Sequence, residues 1–275
     1  MSRITARLEQ LKNQNRTALI PYLTAGDPEP GMTVDLMHTL VAQGADLIEL
    51  GVPFSDPMAD GPVIQKAVER ALAHGVSLNQ VLQMVSDFRK TDQQTPVLLM
   101  GYLNPIEAMG FERFAEKAKQ VGLDGVLTVD LPPEESNEVS EVLSRYELDQ
   151  VFLVSPTTPQ SRLNAVAQKG SGFVYYVSLK GVTGSGQLDV ASVAKQVGLL
   201  KQSVALPVGI GFGIRDAQSA YNMAKIGEAV IIGSALVGLI EKNQTLGKET
   251  IKNALIAKVQ ELRDAIDRAD KGEGL

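Results

Sequence analysis

No cysteine occurs anywhere in the chain, so disulfides and thiolate metal sites are excluded. Histidine is scarce; His38 and His74 are too few for a histidine-rich metal site. An excess of positive charge is also missing, because 26 basic residues face 32 acidic ones and leave a net charge of −6. A surface so balanced has no electrostatic footprint for nucleic acid or anionic membrane. Any anionic ligand must therefore be held by local donors. No apolar run is long enough to span a bilayer, and residues 1–16 are polar and helix-forming, without an apolar signal core. These absences predict a soluble, cytoplasmic protein.

What is present is a chain of 275 residues, 44% hydrophobic, enough to bury a large core. Short apolar runs alternate with segments of helical period. Strands are expected at 18–23, 46–50, 96–102, 125–129, 151–154, 173–177, 207–210 and 229–232. Helices are expected at about 2–14, 34–43, 63–73, 78–90, 111–120, 134–146, 159–168, 190–201, 217–225 and about 248–267. Alternating strands and helices imply a parallel sheet with both faces covered. Eight such units in one chain suggest a closed (β/α)8 TIM barrel, a single domain over 1–275; the alternative is an open doubly wound sheet.

In a barrel the chemistry gathers where the strands end. Glu49 lies near the end of the second strand, flanked by Ile48 and Leu50, and Asp60 follows eleven positions later in Met58-Ala-Asp-Gly61. Burial disfavours the charged form of Glu49 and should raise its pKa, which suits acid/base work. The bland reading is an interior acid satisfied by a neighbouring tyrosine or asparagine. Asp60, on a polar loop, should stay ionised; its bland reading is an N-cap for the helix starting at Pro62. Asp27 and Asp56 precede prolines and suit turn hydrogen bonds. Asp130, His38 and His74 read as structural.

Glycine-rich turns close the last strands: Val208-Gly-Ile-Gly-Phe-Gly213 and Ile232-Gly-Ser-Ala235, with Gly181-Val-Thr-Gly-Ser-Gly186 beside them. Backbone N–H groups of such turns and of helix N-termini hold phosphate, and this fold's usual phosphate site lies there. Tight packing turns are the alternative. Tyr22, Met100, Leu127, Leu153, Tyr175 and Phe212 are positioned to line a pocket for a flat apolar group, or to be ordinary core.

Five stretches, in order and spanning nearly the whole chain, resemble the tryptophan synthase alpha chain family. They are Pro21-Tyr-Leu-Thr-Ala-Gly-Asp-Pro28, Glu49-Leu-Gly-Val-Pro-Phe-Ser-Asp-Pro57, Ala59-Asp-Gly-Pro-Val-Ile-Gln65, Gly181-Val-Thr-Gly184 and Gly211-Phe-Gly-Ile214. The second is the most specific. The resemblance implies retro-aldol cleavage of indole-3-glycerol phosphate to indole and glyceraldehyde 3-phosphate. It implies Glu49 as general acid/base and Asp60 as partner of the indole N–H. Tyr175 and Thr183 would lie at the substrate, and Gly184, Gly213, Gly233 and Ser234 at its phosphate. No metal or cofactor is implied for this chain. Pyridoxal phosphate is expected only in a beta chain, which would take up the indole within an alpha2-beta2 heterotetramer. Some members carry phenylalanine where Tyr22 stands, and some arginine-serine at Leu179-Lys180.

Other phosphate-binding barrels carry a catalytic lysine at a strand end; here the nearest is Lys180, on a loop. A subunit that mainly activates a beta partner, and a stand-alone lyase releasing free indole, are the other readings. Residues 179–188 are long for a connection in this fold and read as a lid that would bring Thr183 toward Asp60. The face with Pro53, Asp56 and Pro57 is expected to dock the beta chain.

Overall fold

The computed structural model describes residues 2–177, 189–211 and 213–275. Eight parallel strands close into a barrel in chain order. They are β1 (Ala18–Thr24), β2 (Ile48–Gly51), β3 (Val97–Gly101), β4 (Gly125–Thr128), β5 (Asp149–Val154), β6 (Val174–Val177), β7 (Val208–Gly211) and β8 (Ala229–Ile232). The barrel closes where β8 returns to β1, with Ala18 beside Ala229 and Pro21 beside Ile232. Closure removes the sheet edges and excludes the open doubly wound alternative.

Helices α1 (Arg3–Asn13), α2 (Thr33–Ala42), α3 (Pro62–Ala73), α4 (Leu78–Arg89), α5 (Leu103–Met109) and α6 (Phe111–Val121) accompany the first half. The second half adds α7 (Asn137–Arg145), α8 (Gln160–Lys169), α9 (Val190–Ser203), α10 (Ala217–Ala224), α11 (Ser234–Asn243) and α12 (Lys248–Asp270). Two departures from expectation have local causes. Helix α5, absent from the sequence reading, starts at the residue after Tyr102, and its first free N–H, on Leu103, is accepted by Asp130 from the connection after β4, at 2.8 Å. Helix α7 begins three residues later than expected, because the Ser136 hydroxyl and N–H both turn back onto the Pro133 carbonyl.

The strands are buried on both faces, and each face joins a different core. Outward side chains such as Leu50, Leu99 and Ile210 pack with Leu36 and Leu40 of α2, Phe88 of α4 and Phe114 of α6. Inward side chains, among them Ile20, Leu47, Leu98, Leu127, Phe173 and Ile231, form a second cluster that includes Ile4, Leu8 and Leu11 of α1. Helix α1 thus plugs the N-terminal end of the barrel, leaving the C-terminal end for the site.

Carboxylates at that plugged end bind the strands where their N–H groups start. Asp46 accepts from Leu19 N–H at 3.0 Å, Asp124 from Val97 N–H at 2.8 Å and Glu228 from Val208 N–H at 2.8 Å. Asp46 also draws in Arg7 of α1 (2.7 Å), Arg16 (3.2 Å) and Arg263 of α12 (3.1 Å). Asp124 is clamped between Arg3 and Arg89, both at 2.7 Å. Asp270, the last residue of α12, accepts from the N–H and hydroxyl of Thr17, at 2.8 and 2.6 Å.

Candidate active site

A cavity of about 400 Å³ opens at the C-terminal ends of the strands. Its lining comes from β1 (Tyr22), β2 (Glu49), β3 (Met100), β6 (Tyr175), β8 (Ile231) and the segment that leads into α3 (Ala59 to Ile64). The turns after β7 (Gly213, Ile214) and β8 (Gly233, Ser234) complete it. Eight residues singled out in the sequence therefore meet here: Tyr22, Glu49, Asp60, Met100, Tyr175, Gly213, Gly233 and Ser234. Leu127 points inward and is fully covered, 0% exposed, in the cluster with Leu98, Val151 and Phe173. Alternation along a strand says which face a side chain takes, not how high in the barrel it sits. Thr183, Gly184 and Phe212, and the segment 179–188, lie outside the described residues.

Two of the lining rings fit only because a neighbouring strand carries glycine. A Cβ at Gly51 would run into the ring and hydroxyl of Tyr22, and one at Gly211 into those of Tyr175. The Tyr22 hydroxyl shares a hydrogen bond of 3.2 Å with Thr24. Burial pushes both tyrosine pKa values above the usual phenol value, so both stay neutral.

Glu49 is 1% exposed, and its Oε1 has no hydrogen-bond partner among the described residues. The reading of a satisfied interior acid therefore fails. Burial is the main cause that raises its pKa to about 8, and the negative charge of Asp60 adds to it. At neutral pH Glu49 is a carboxylic acid with a proton to give, close to the value that favours both giving and taking one.

Asp60 does not cap α3. The N-cap is Gly61, with no side-chain cap bond. The Asp60 carboxylate instead accepts from the Tyr102 hydroxyl at 3.0 Å. Its own carbonyl accepts from Gln65 Nε2 at 2.9 Å, and its N–H reaches the Pro57 carbonyl at 3.0 Å. The loop is more enclosed than its composition suggests: Asp60 is half-buried, burial pushes its pKa up, and the Tyr102 hydrogen bond pulls it down. The third strand's end puts Tyr102 at the same mouth as Asp60, but nothing in the order of residues shows that its hydroxyl reaches that carboxylate.

The remaining candidates fall away from the cavity. Asp27 is buried against Arg70 of α3, at 2.6 and 3.1 Å. His38 stacks on Phe88 at 4.6 Å, and His74 meets the Pro28 carbonyl at 3.1 Å. On the connection from β2 to α3, Pro53 is buried, Pro57 half-buried and Asp56 exposed, accepting from Ser55. Met58 beside them is 85% exposed. Among the described residues no group of His, Asp and Glu could hold a metal ion, and no helix is long and apolar enough to cross a membrane.

A closed (β/α)8 barrel with two acids in a cavity at its strand ends, rimmed by glycine turns at β7 and β8, has the architecture of a barrel enzyme. The sequence profile described as "Tryptophan synthase alpha chain" matches residues 8–267. The tryptophan synthase alpha chain of Hydrogenovibrio crunogenus is 66% identical over 270 residues, covering 98% of this chain and 99% of that one. That of Marinobacter nauticus is 58% identical over 267 residues, covering 97% and 98%. The crystal structure of tryptophan synthase subunit alpha from Legionella pneumophila superposes with a TM-score of 0.92 at 47% identity, covering 98% of this chain and 99% of that one. The chain belongs to the tryptophan synthase alpha chain family.

Proposed function

We propose that Glu49 and Asp60 carry, in this chain, the reaction of its family, the retro-aldol cleavage of indole-3-glycerol phosphate to indole and glyceraldehyde 3-phosphate. The observation that carries the assignment is the buried Glu49 carboxyl, its Oε1 without a partner among the described residues, opening on the same cavity as Asp60. Glu49 first gives its proton to ring carbon 3. The resulting carboxylate then takes the proton of the hydroxyl on the adjacent glycerol carbon. The bond between ring and side chain breaks, its electrons return to the ring, and the hydroxyl-bearing carbon becomes the aldehyde. Positive charge develops at the ring nitrogen in between, where the Asp60 carboxylate stabilises it. The ring nitrogen serves as the electron sink, so the sequence needs no metal or cofactor.

Tyr22, Met100 and Tyr175 would hold the indole. Gly213, Gly233 and Ser234, with α11 starting at Ser234, would hold the phosphate through backbone N–H groups. Gly184 and Thr183 are proposed to join them, and Phe212 to cover the ring. The chain would act as one domain over 1–275 in the cytoplasm. It would pass indole to a pyridoxal-phosphate-bearing beta chain in an alpha2-beta2 complex, docked by the face with Pro53, Asp56 and Pro57.

Indole release from indole-3-glycerol phosphate, measured with and without added beta chain, tests this reading. Asp60→Asn should lower kcat at least ~10²-fold while leaving the melting temperature unchanged, because Asp60 caps nothing. Its alkaline limb should also move to lower pH, since the Asp60 charge helps to raise Glu49. Undiminished turnover in a folded Asp60→Asn protein refutes the assignment. Full speed without beta chain, and no gain on adding it, would replace the activated-subunit reading with a stand-alone lyase.

The phosphate assignment has its own check. At Gly233 a Cβ would stand 3.6 Å from Tyr22, an ordinary contact, so the backbone accepts a side chain there. Gly233→Val should raise KM for the phosphorylated substrate at least about tenfold, the scale of one charge-assisted hydrogen bond. Indole, which has no phosphate, should bind nearly as before. Equal losses for both ligands would make the glycine a packing residue.

A further inference from the structure

Asp60 is held by its N–H, its carbonyl and its carboxylate, and the contact on the carboxylate comes from a residue that the proposed chemistry does not use. The Tyr102 hydroxyl accepts from Ala59 N–H at 3.0 Å and stands 3.0 Å from Asp60 Oδ2. An amide N–H can only donate, so the hydroxyl's single proton is left for the carboxylate. The ring behind it has little freedom: Tyr102 is buried, and its ring packs on Phe54 with 5.2 Å between centroids.

No lysine or arginine is among the described residues that line the cavity. The charged and titratable groups that face Asp60 there are Glu49 from β2, Tyr22 from β1 and Tyr102 from the end of β3. Asp130, from the connection after β4, acts in turn on Tyr102. All are acids, so none supplies a positive counter-charge. Among the described residues the Tyr102 O–H is the only side-chain donor on the Asp60 carboxylate.

We propose that Tyr102 is a positioning residue for the cleavage: its hydroxyl fixes the Asp60 carboxylate in the cavity, in its anionic form, by joining it to the backbone of Ala59. This rests on the role proposed for Asp60 above. Burial keeps the Tyr102 phenol well above its usual pKa, so the donor persists over the working pH range. Its hydrogen bond favours ionised Asp60, against the burial that disfavours it.

Tyr102→Phe tests the proposal. It keeps the ring on Phe54, and it leaves the start of α5 intact, because no side chain caps that helix. In the pH profile of kcat the acid limb reports Asp60, which must be ionised, and the alkaline limb reports Glu49, which must be protonated. The variant should lose about tenfold or more in kcat with a smaller change in KM, the scale of one hydrogen bond to a charged group. Its acid limb should move up by about one pH unit. The carbon-13 shift of the Asp60 carboxyl, read without substrate, should titrate at higher pH to match.

The same change in an Asp60→Asn background should cost almost nothing further, because the hydroxyl acts through that carboxylate. An unmoved acid limb, or losses that simply multiply in the double variant, overturns the positioning role while leaving Asp60 in place. If Asp60→Asn alone keeps full activity, the proposed function fails instead. If the Phe variant only melts earlier, with an unchanged profile, Tyr102 is structural.

Discussion

Replacing Glu49 with glutamine is expected to cut kcat at least ~10²-fold, the usual scale for one general acid/base group. Glutamine keeps the shape, so the substrate should still bind and KM should change little. Near-normal turnover in the folded variant would remove Glu49 from the mechanism. Stability should respond in the opposite sense. A carboxyl whose pKa rises from 4.5 unfolded to about 8 folded holds its proton in the native state while the unfolded chain has already released it. Across that window the native state binds more protons, so stability falls as pH rises from 4.5 to about 8, then levels off. The Gln variant lacks this slope. Its melting temperature should therefore gain on the parent through that window and keep a constant advantage above it. Parallel curves of melting temperature against pH would show that Glu49 is ordinarily solvated.

The second large effect belongs to the opposite end of the barrel. Asp46 is 2% exposed, accepts from Leu19 N–H and pairs with Arg7, Arg16 and buried Arg263. Asp46→Ala leaves that arginine facing an apolar gap and strands the N–H. Removing one partner of a buried pair costs about 3–5 kcal/mol. Asp267 still reaches Arg263 at 2.8 Å, which places the expected loss near the lower bound. At this chain length ~3 kcal/mol corresponds to a fall of roughly 6–12 °C in melting temperature. Cleavage by the protein that remains folded should be unchanged, since Asp46 lies at the end away from the cavity. An unaltered melting temperature would show that the arginine cluster is only a solvated face.

The contrast between these two acids explains what the sequence disclosed. Both sit on β2 or at its start, three residues apart, and both are followed by apolar residues. The strand count, the barrel and the meeting of Glu49 with Asp60 followed from period, spacing and chain order. Those signals are written along one segment at a time. Whether an acid is paired depends on segments far away in the chain: Arg263 for Asp46, and nothing among the described residues for Glu49. The same holds for α5, whose start is held by Asp130 from another connection, and for Tyr102, whose reach to Asp60 crosses 42 positions. Leu127 shows another limit: its face is a matter of parity, but its depth is set by the stagger of the closed barrel.

The carboxylates at the foot of the barrel have a consequence beyond stability. They fix β1, β3 and β7 where those strands begin, and they tie both terminal helices to the same end. The opposite rim carries less of that burden, and it holds Glu49, whose Oε1 has no hydrogen-bond partner among the described residues. For a protein engineer this makes the two ends separable. Connections at the rim can be exchanged or lengthened to suit another substrate while the foot preserves the scaffold. The chain ends, both tethered at the foot, are the place to attach a tag or fusion without crowding the cavity.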